Sequence, residues 1–146
     1  MEDNKQILTR NKSLHLIICC GIIAIVTFIA FQPSLKNGFT NLDDNDLVVE
    51  NPDINSFSFH NLAKIFSSKY ISNYQPLTML TYMVEYRFFQ LNPAIYHYSN
   101  LLLHIINSLL VFLFIYGLSK EYTTGLLVSI LFAVHPMRVE SVAWVA

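Results

Sequence analysis

Two long apolar runs limit what this chain can fold into. From Leu14 to Phe31 only His15 and Thr27 interrupt the apolar residues. At about 1.5 Å per helical residue this nearly covers a hydrocarbon core of about 30 Å. Ser99 to Leu118 is a second such run, rich in Leu, Ile, Val and Phe. A third, Thr123 to Val134, is about a dozen residues long, too short to cross alone. It needs Tyr122 and residues beyond Val134 to lengthen it, a thin bilayer, or a polar cavity beside it. A cleaved signal peptide would have a shorter apolar core ending in a small-x-small site. Phe28, Phe31, Gln32 and Pro33 stand where small residues belong, so the first span is expected to be retained. The 53% hydrophobic and 13% charged composition does not suit an ordinary soluble domain. A net charge of −1 offers no surface for nucleic acid. Cys19 and Cys20 are adjacent in the first run. Helical neighbours point in different directions and no CxxC spacing occurs, so neither a disulfide nor a zinc site is expected.

Basic residues orient the spans. Lys5, Arg10 and Lys12 precede the first, and only Lys36 follows it closely, which puts the N-terminus in the cytoplasm. The expected fold is all-α and integral to the membrane, with about three transmembrane helices and an external loop carrying interfacial helices. Residues 1–13 are then cytoplasmic, 14–32 the first span, 33–98 the external loop, and 99–118 the second span. Residues 119–121 form a cytoplasmic turn, 122–136 a third span, and 137–146 the start of a second external loop. Asn11-Lys12-Ser13, the one glycosylation signal, falls on the cytoplasmic side.

In the external loop a short helix is expected after Ser58, with Phe59, Leu62, Ile65 and Phe66 on one face. A second starts at Pro76, a residue suited to a first helical position, and runs to about Gln90. It carries one stripe of Leu77, Leu80, Val84 and Phe88 and another of Thr78, Thr81 and Glu85. Such a helix lies in the membrane interface, apolar side down, or packs against other spans. Tyr70, Tyr74, Tyr82, Tyr86, Tyr96 and Tyr98 fit an interfacial aromatic belt or carbohydrate stacking.

Three constellations could carry chemistry. Asp43, Asp44, Asp46, Glu50 and Asp53 fall within a short stretch past the first span. A calcium loop fails, because counting from Asp44 puts Val48 at a ligand position and Val49 where glycine belongs. A pair of carboxylates remains, one accepting a proton from an attacking hydroxyl while its neighbour orients it or holds a divalent cation. A solvated acidic turn is the alternative. His97, Asn100, His104 and Asn107 share one helical face. They line a polar cavity, or a substrate path in a transporter segment, or hydrogen-bond between helices. In His135-Pro136-Met137-Arg138-Val139-Glu140, Pro136 breaks a helix and Arg138 is a candidate phosphate clamp; Arg138 and Glu140 as plain interface residues are the alternative.

Several motifs together resemble a known family. They are Asn41-Leu42-Asp43-Asp44, Glu50-Asn51-Pro52, Tyr74-Gln75-Pro76-Leu77-Thr78, Leu91-Asn92-Pro93, Tyr96-His97, Asn100-Leu101-Leu102-Leu103-His104, His135-Pro136 and Val139-Glu140-Ser141-Val142-Ala143-Trp144-Val145-Ala146. In this order they resemble the start of the transmembrane and tetratricopeptide-repeat O-mannosyltransferase-like proteins, which have a GT-C fold. The resemblance covers most of the chain from about Phe39 onward. It implies a multi-pass enzyme that moves a sugar, mannose-like, from a polyprenyl-phosphate donor to a hydroxyl of a protein or glycan on the non-cytoplasmic face. Its partners would be membrane lipid, the lipid-linked donor and that acceptor. The family's base maps onto Asp43 or Asp44, Asp43 foremost. His135 and Glu140 map onto a second loop lining the same site, and His97 and Arg138 join them as substrate-binding residues. Tetratricopeptide repeats are expected downstream, and the resemblance favours a bacterial plasma membrane. The chain stops at Ala146 inside a motif that continues in the family, so it is expected to be a partial sequence, inactive alone. The rival to an enzyme is a non-catalytic membrane interaction module.

Overall fold

A computed structural model describes Glu2 to Ala146, with side chains described from Lys12 onward. The Lys5, Arg10 and Asn11 side chains, on which orientation and glycosylation were argued, lie outside the described residues. The described fold is helical, and no strand occurs among the described residues. Its helices are α1 (Glu2–Phe31), α2 (Phe59–Ser67), α3 (Pro76–Phe89), α4 (Pro93–Ser119), α5 (Tyr122–Ala133) and α6 (Arg138–Ala143). Short 3-10 turns cover Gln32–Lys36 and Pro52–Ile54, and a π-helical turn covers Asn45–Val49. The chain forms two compact units. One comprises residues up to Gln32 with Leu101–Val139, the other Pro33–Asn100 with Glu140–Ala146.

The first unit is built from apolar helices. Two stretches, Lys12–Lys36 and Pro93–Ser119, are long and apolar enough to cross a membrane. Only 22% of the most apolar window in each is buried, so neither is the sheathed core helix of a soluble protein. Ile17, Ile25, Ile29, Leu110 and Phe114 are all exposed. A surface of that kind needs an apolar solvent, and the protein is a membrane protein. The third apolar stretch gives a helix of 12 residues, about 18 Å long, and stops at Ala133 rather than reaching 136. The His135-Pro136 step ends it, because proline offers no N–H and crowds the preceding turn.

Inside this unit α1 packs against α5. Cys19, Ile23 and Phe112 form the buried centre, flanked by Leu16, Leu109, Leu126 and Ile130. Cys19 and Cys20 are free thiols. Polar groups on these helices bond to backbone carbonyls, as a medium without water demands. Thr27 Oγ1 donates to Ile23 O at 2.7 Å, Ser108 Oγ to His104 O at 2.8 Å and Ser129 Oγ to Gly125 O at 2.7 Å. α5 meets α4 at Gly125, where a Cβ would sit 3.1 Å from the Phe112 ring.

The second unit has its own core of Leu47, Val48, Ile54, Ile65, Met79, Tyr82, Met83, Tyr96 and Val145. Ser58 caps α2 by accepting the Asn61 N–H at 3.1 Å, and Pro76 opens α3. Asp53 joins α2 to the loop that follows it, accepting from Lys64 Nζ at 2.7 Å and from Tyr70 Oη at 2.9 Å. The expected apolar face of α2 is only partly used: Ile65 is buried, while Phe59 and Phe66 are exposed. On α3 the expected stripe is the outer one. Leu77, Val84 and Phe88 are exposed, and Met79, Tyr82 and Met83 are buried instead.

The contact at Gly125 yields a test. Gly125→Leu should destabilise α4–α5 packing by about 1–3 kcal/mol through overpacking against Phe112. Gly21→Ala, where an added Cβ meets nothing within 4 Å, should not destabilise. Thermal unfolding in detergent compares the two.

Candidate functional site

Four separate segments of the second unit meet around Asp44. The turn Thr40–Asp44 folds back so that Asp44 Oδ2 accepts the Thr40 N–H at 2.7 Å and the Thr40 hydroxyl at 3.1 Å. Asp44 Oδ1 accepts the Ala146 N–H at 2.9 Å. Three donors satisfy this carboxylate, which is fully buried. Tyr82 on α3 donates to Val145 O at 2.8 Å. Asn100 on α4 donates to Trp144 O at 2.7 Å and to Val145 O at 3.3 Å. The loop after the first apolar run, α3, the start of α4 and residues 144–146 are thereby one assembly.

Asp43 differs from its neighbour: its side chain is exposed. The two adjacent carboxylates therefore divide into one that is bonded and buried and one that is exposed. Glu140 is likewise exposed in this unit.

Beneath Asp44 lies a buried polar cluster. His97 is 1% exposed, lies within electrostatic range of Asp44, and sits against the backbone of Asn37 and Gly38. Neither ring nitrogen makes a hydrogen bond of good geometry. Glu85 on α3 is buried too, with Ser99 bonded to its carboxyl and Oε2 without a partner. Burial pushes the Glu85 carboxyl up to about 7, with the Ser99 bond pulling weakly the other way. Burial raises the Tyr82 phenol as well, helped by the Glu85 and Asp44 charges. Sequence reasoning placed Glu85 in a polar stripe with Thr78 and Thr81 and missed its burial. An acid on an otherwise apolar helix was the signal available.

The remaining predicted residues lie in the first unit. His135 is exposed and its Nδ1 accepts the Met137 N–H at 3.2 Å. Arg138 is half-buried with its guanidinium 4.4 Å above the Phe132 ring, and its Nε is buried without a partner. The polar stripe on α4 resolves into separate roles. His104 Nε2 donates to Ala133 O at 2.8 Å, an interhelical hydrogen bond. Asn107 is exposed. Among the described residues no three His, Cys, Asp or Glu side chains converge to hold a metal ion.

By sequence, the chain is similar to a group of known proteins. Protein O-mannosyl-transferase TMTC3 of Homo sapiens is 31% identical over 135 residues, covering 85% of this chain and 14% of that protein. Protein O-mannosyl-transferase TMTC4 of Mus musculus is 31% identical over 147 residues, 85% of this chain and 20% of that protein. Protein O-mannosyl-transferase F38B6.6 of Caenorhabditis elegans is 28% identical over 139 residues, 84% of this chain and 19% of that protein. The chain is a relative of the protein O-mannosyl-transferases. It spans a fifth or less of the length of these relatives. No family model and no solved structure matches it.

Two measurements test the site as built. Asp44→Ala leaves the Thr40 and Ala146 N–H groups without their acceptor and should cost about 2–3 kcal/mol. Asp43→Ala, at an exposed position, should stay within about 0.5 kcal/mol. Thermal unfolding and protease susceptibility of the 33–100 region separate them. For Glu85, the folded state holds its proton to about pH 7 and the unfolded chain only to about 4.5. The folded state therefore binds more protons in that window, and stability should fall as pH rises through it, then level off. The loss is on the order of 3 kcal/mol. Glu85→Gln should remove this slope. The carboxylic C=O stretch in infrared titration should show a band with a midpoint near 7 in the parent and lose it in the variant.

Proposed function

We propose that this chain is part of a membrane-bound glycosyltransferase and carries its acceptor-activating carboxylate. The reaction is transfer of a sugar, mannose-like, from a polyprenyl phosphate to a hydroxyl of a protein or glycan on the non-cytoplasmic face. The names of the relatives support the sugar-transfer class. The observation that carries the reading is the split between exposed Asp43 and triply bonded Asp44. A base must reach its substrate, and a flexible turn must be held for that base to be placed. Asp43 takes the first role and Asp44 the second.

In this mechanism the acceptor oxygen attacks the anomeric carbon as its proton passes to Asp43. The bond from that carbon to the phosphate oxygen breaks, and the polyprenyl phosphate leaves with the bonding pair. A phosphate is already a good leaving group, so the demands are deprotonation, stabilisation of positive charge at the sugar and a cation for the departing anion. Arg138, with a guanidinium suited to phosphate oxygens, is assigned the last. His135, Glu140 and His97 are assigned to substrate binding and its support, and α5 to a third membrane element of a GT-C-type fold. A cytoplasmic N-terminus puts residues 33–98 on the reacting face. A bacterial plasma membrane and tetratricopeptide repeats in the longer protein complete the proposal.

The test uses the full-length protein in membranes with a radiolabelled mannosyl polyprenyl phosphate. Asp43→Asn should lower transfer by about 10²–10⁴-fold without loss of folded protein, the usual contribution of a general base. Undiminished transfer by this variant would remove Asp43 from the mechanism.

A further inference from the structure

Residues 144–146 are held by their backbone. Asn100 Nδ2 donates to Trp144 O at 2.7 Å, Tyr82 Oη to Val145 O at 2.8 Å, and the Ala146 N–H to Asp44 Oδ1 at 2.9 Å. Three successive residues are thus fixed by three elements: α3, the start of α4 and the turn at 40–44. Val142 and Val145, before and after Trp144, are buried. The Trp144 side chain is 40% exposed. Folded chains mostly cover tryptophan, and a large apolar ring left open forgoes the gain from burial. Here the open ring stands on a backbone bonded at three successive residues.

One of those bonds sets its place relative to Asp43. The bond from the Ala146 N–H to Asp44 joins the two segments. Trp144 is two residues from one end of it, at most about 7 Å of chain, and Asp43 is one residue, about 3.8 Å, from the other. Both side chains are exposed. Residues 40–44 and 140–146 contain no basic residue, and Glu140, one turn before Trp144, is exposed as well. An aromatic face beside carboxylates does not suit a phosphate. It suits a pyranose. The C–H groups on the face of such a ring carry slight positive charge and lie against the negative face of an indole, while its rim hydroxyls donate to carboxylates.

The transfer reaction also leaves one requirement without a residue. Positive charge builds at the anomeric carbon as the phosphate departs, while Asp43 and Arg138 serve the acceptor proton and the leaving group. Of the aromatic side chains, the indole attracts a cation most strongly, and more so away from water.

We propose that Trp144 is a sugar-binding platform: its indole face carries the pyranose of the donor beside Asp43 and stabilises the charge that develops there. This rests on the sugar-transfer reading and adds to it the residue that tells a sugar-bearing lipid from the bare lipid phosphate. The bonded backbone places the ring in advance, so little freedom is lost when the sugar binds.

The test compares two radiolabelled probes on the full-length protein in detergent, with no acceptor added. One is mannosyl polyprenyl phosphate and the other polyprenyl phosphate. The parent should bind the mannosyl lipid more tightly than the bare one. Trp144→Leu should reduce that preference by about 3- to 10-fold, the range of one aromatic contact, and leave affinity for the bare lipid unchanged. Trp144→Phe, which keeps a ring, should keep most of the preference. No preference in the parent, or an undiminished one in Trp144→Leu, would overturn the proposal. Parallel loss of both lipids in the Leu and Phe variants would mark Trp144 as an interfacial anchor and overturn it equally. Failure of the transfer reading has a different signature. The parent would show the preference, Trp144→Leu would lose it, and yet no sugar would reach any acceptor hydroxyl, which leaves the platform standing and removes the reaction.

Discussion

One hydrogen bond closes the second unit. The Ala146 N–H donates to Asp44 Oδ1 across 102 positions of chain. The same carboxylate binds the Thr40 amide and hydroxyl through its other oxygen. A bond to an ionised acceptor is about twice as strong as a neutral one, and its loss in a buried setting leaves donors unsatisfied. It is supported from two sides, by Tyr82 on α3 and Asn100 on α4, both of which hold the preceding carbonyls of the same strand of chain. Remove the carboxylate and the turn at 40–44 loses its bond to the segment that Tyr82 and Asn100 also hold.

This closure buries one of two chemically identical neighbours and leaves the other exposed. Asp43 and Asp44 have the same side chain and share a turn, so composition and spacing could not rank them. Their difference comes from a partner 102 residues away and from the direction each faces in the turn. The apolar runs needed no such information, because length and hydropathy alone set α1 and α4. Ser58 and Pro76 announced α2 and α3, since a cap and a first-position proline act locally. Periodicity found an apolar stripe on α3 and could not say that a second existed, because Met79, Tyr82, Met83 and Tyr86 alternate with it around the helix. Which face is buried is a tertiary outcome. On α4 the spacing left hydrogen bonding between helices among the roles open to its polar stripe, and His104 makes such a bond.

The polar groups of the first unit follow a different logic from those around Asp44. Thr27, Ser108 and Ser129 bond to carbonyls one turn back on their own helices, and His104 reaches the carbonyl that ends α5. These bonds satisfy the side chain and demand nothing further. Buried polar atoms of His97 and Glu85 in the second unit, and of Arg138 in the first, have no such bond. Native structures seldom leave such atoms without a functional or solvent role.

Glu85 connects these observations. It sits at the edge of the buried face of α3, between the core of the second unit and the outer stripe. A carboxylate in that setting costs several kcal/mol in lost hydration, whereas the neutral acid needs only its hydrogen bonds. Protonation is the cheaper solution, which is why burial raises its affinity for the proton to about 7. The proton is thus part of the packing. Ionising Glu85 puts a charge between α3 and the first turns of α4, beside the Tyr82 that helps hold residues 144–146.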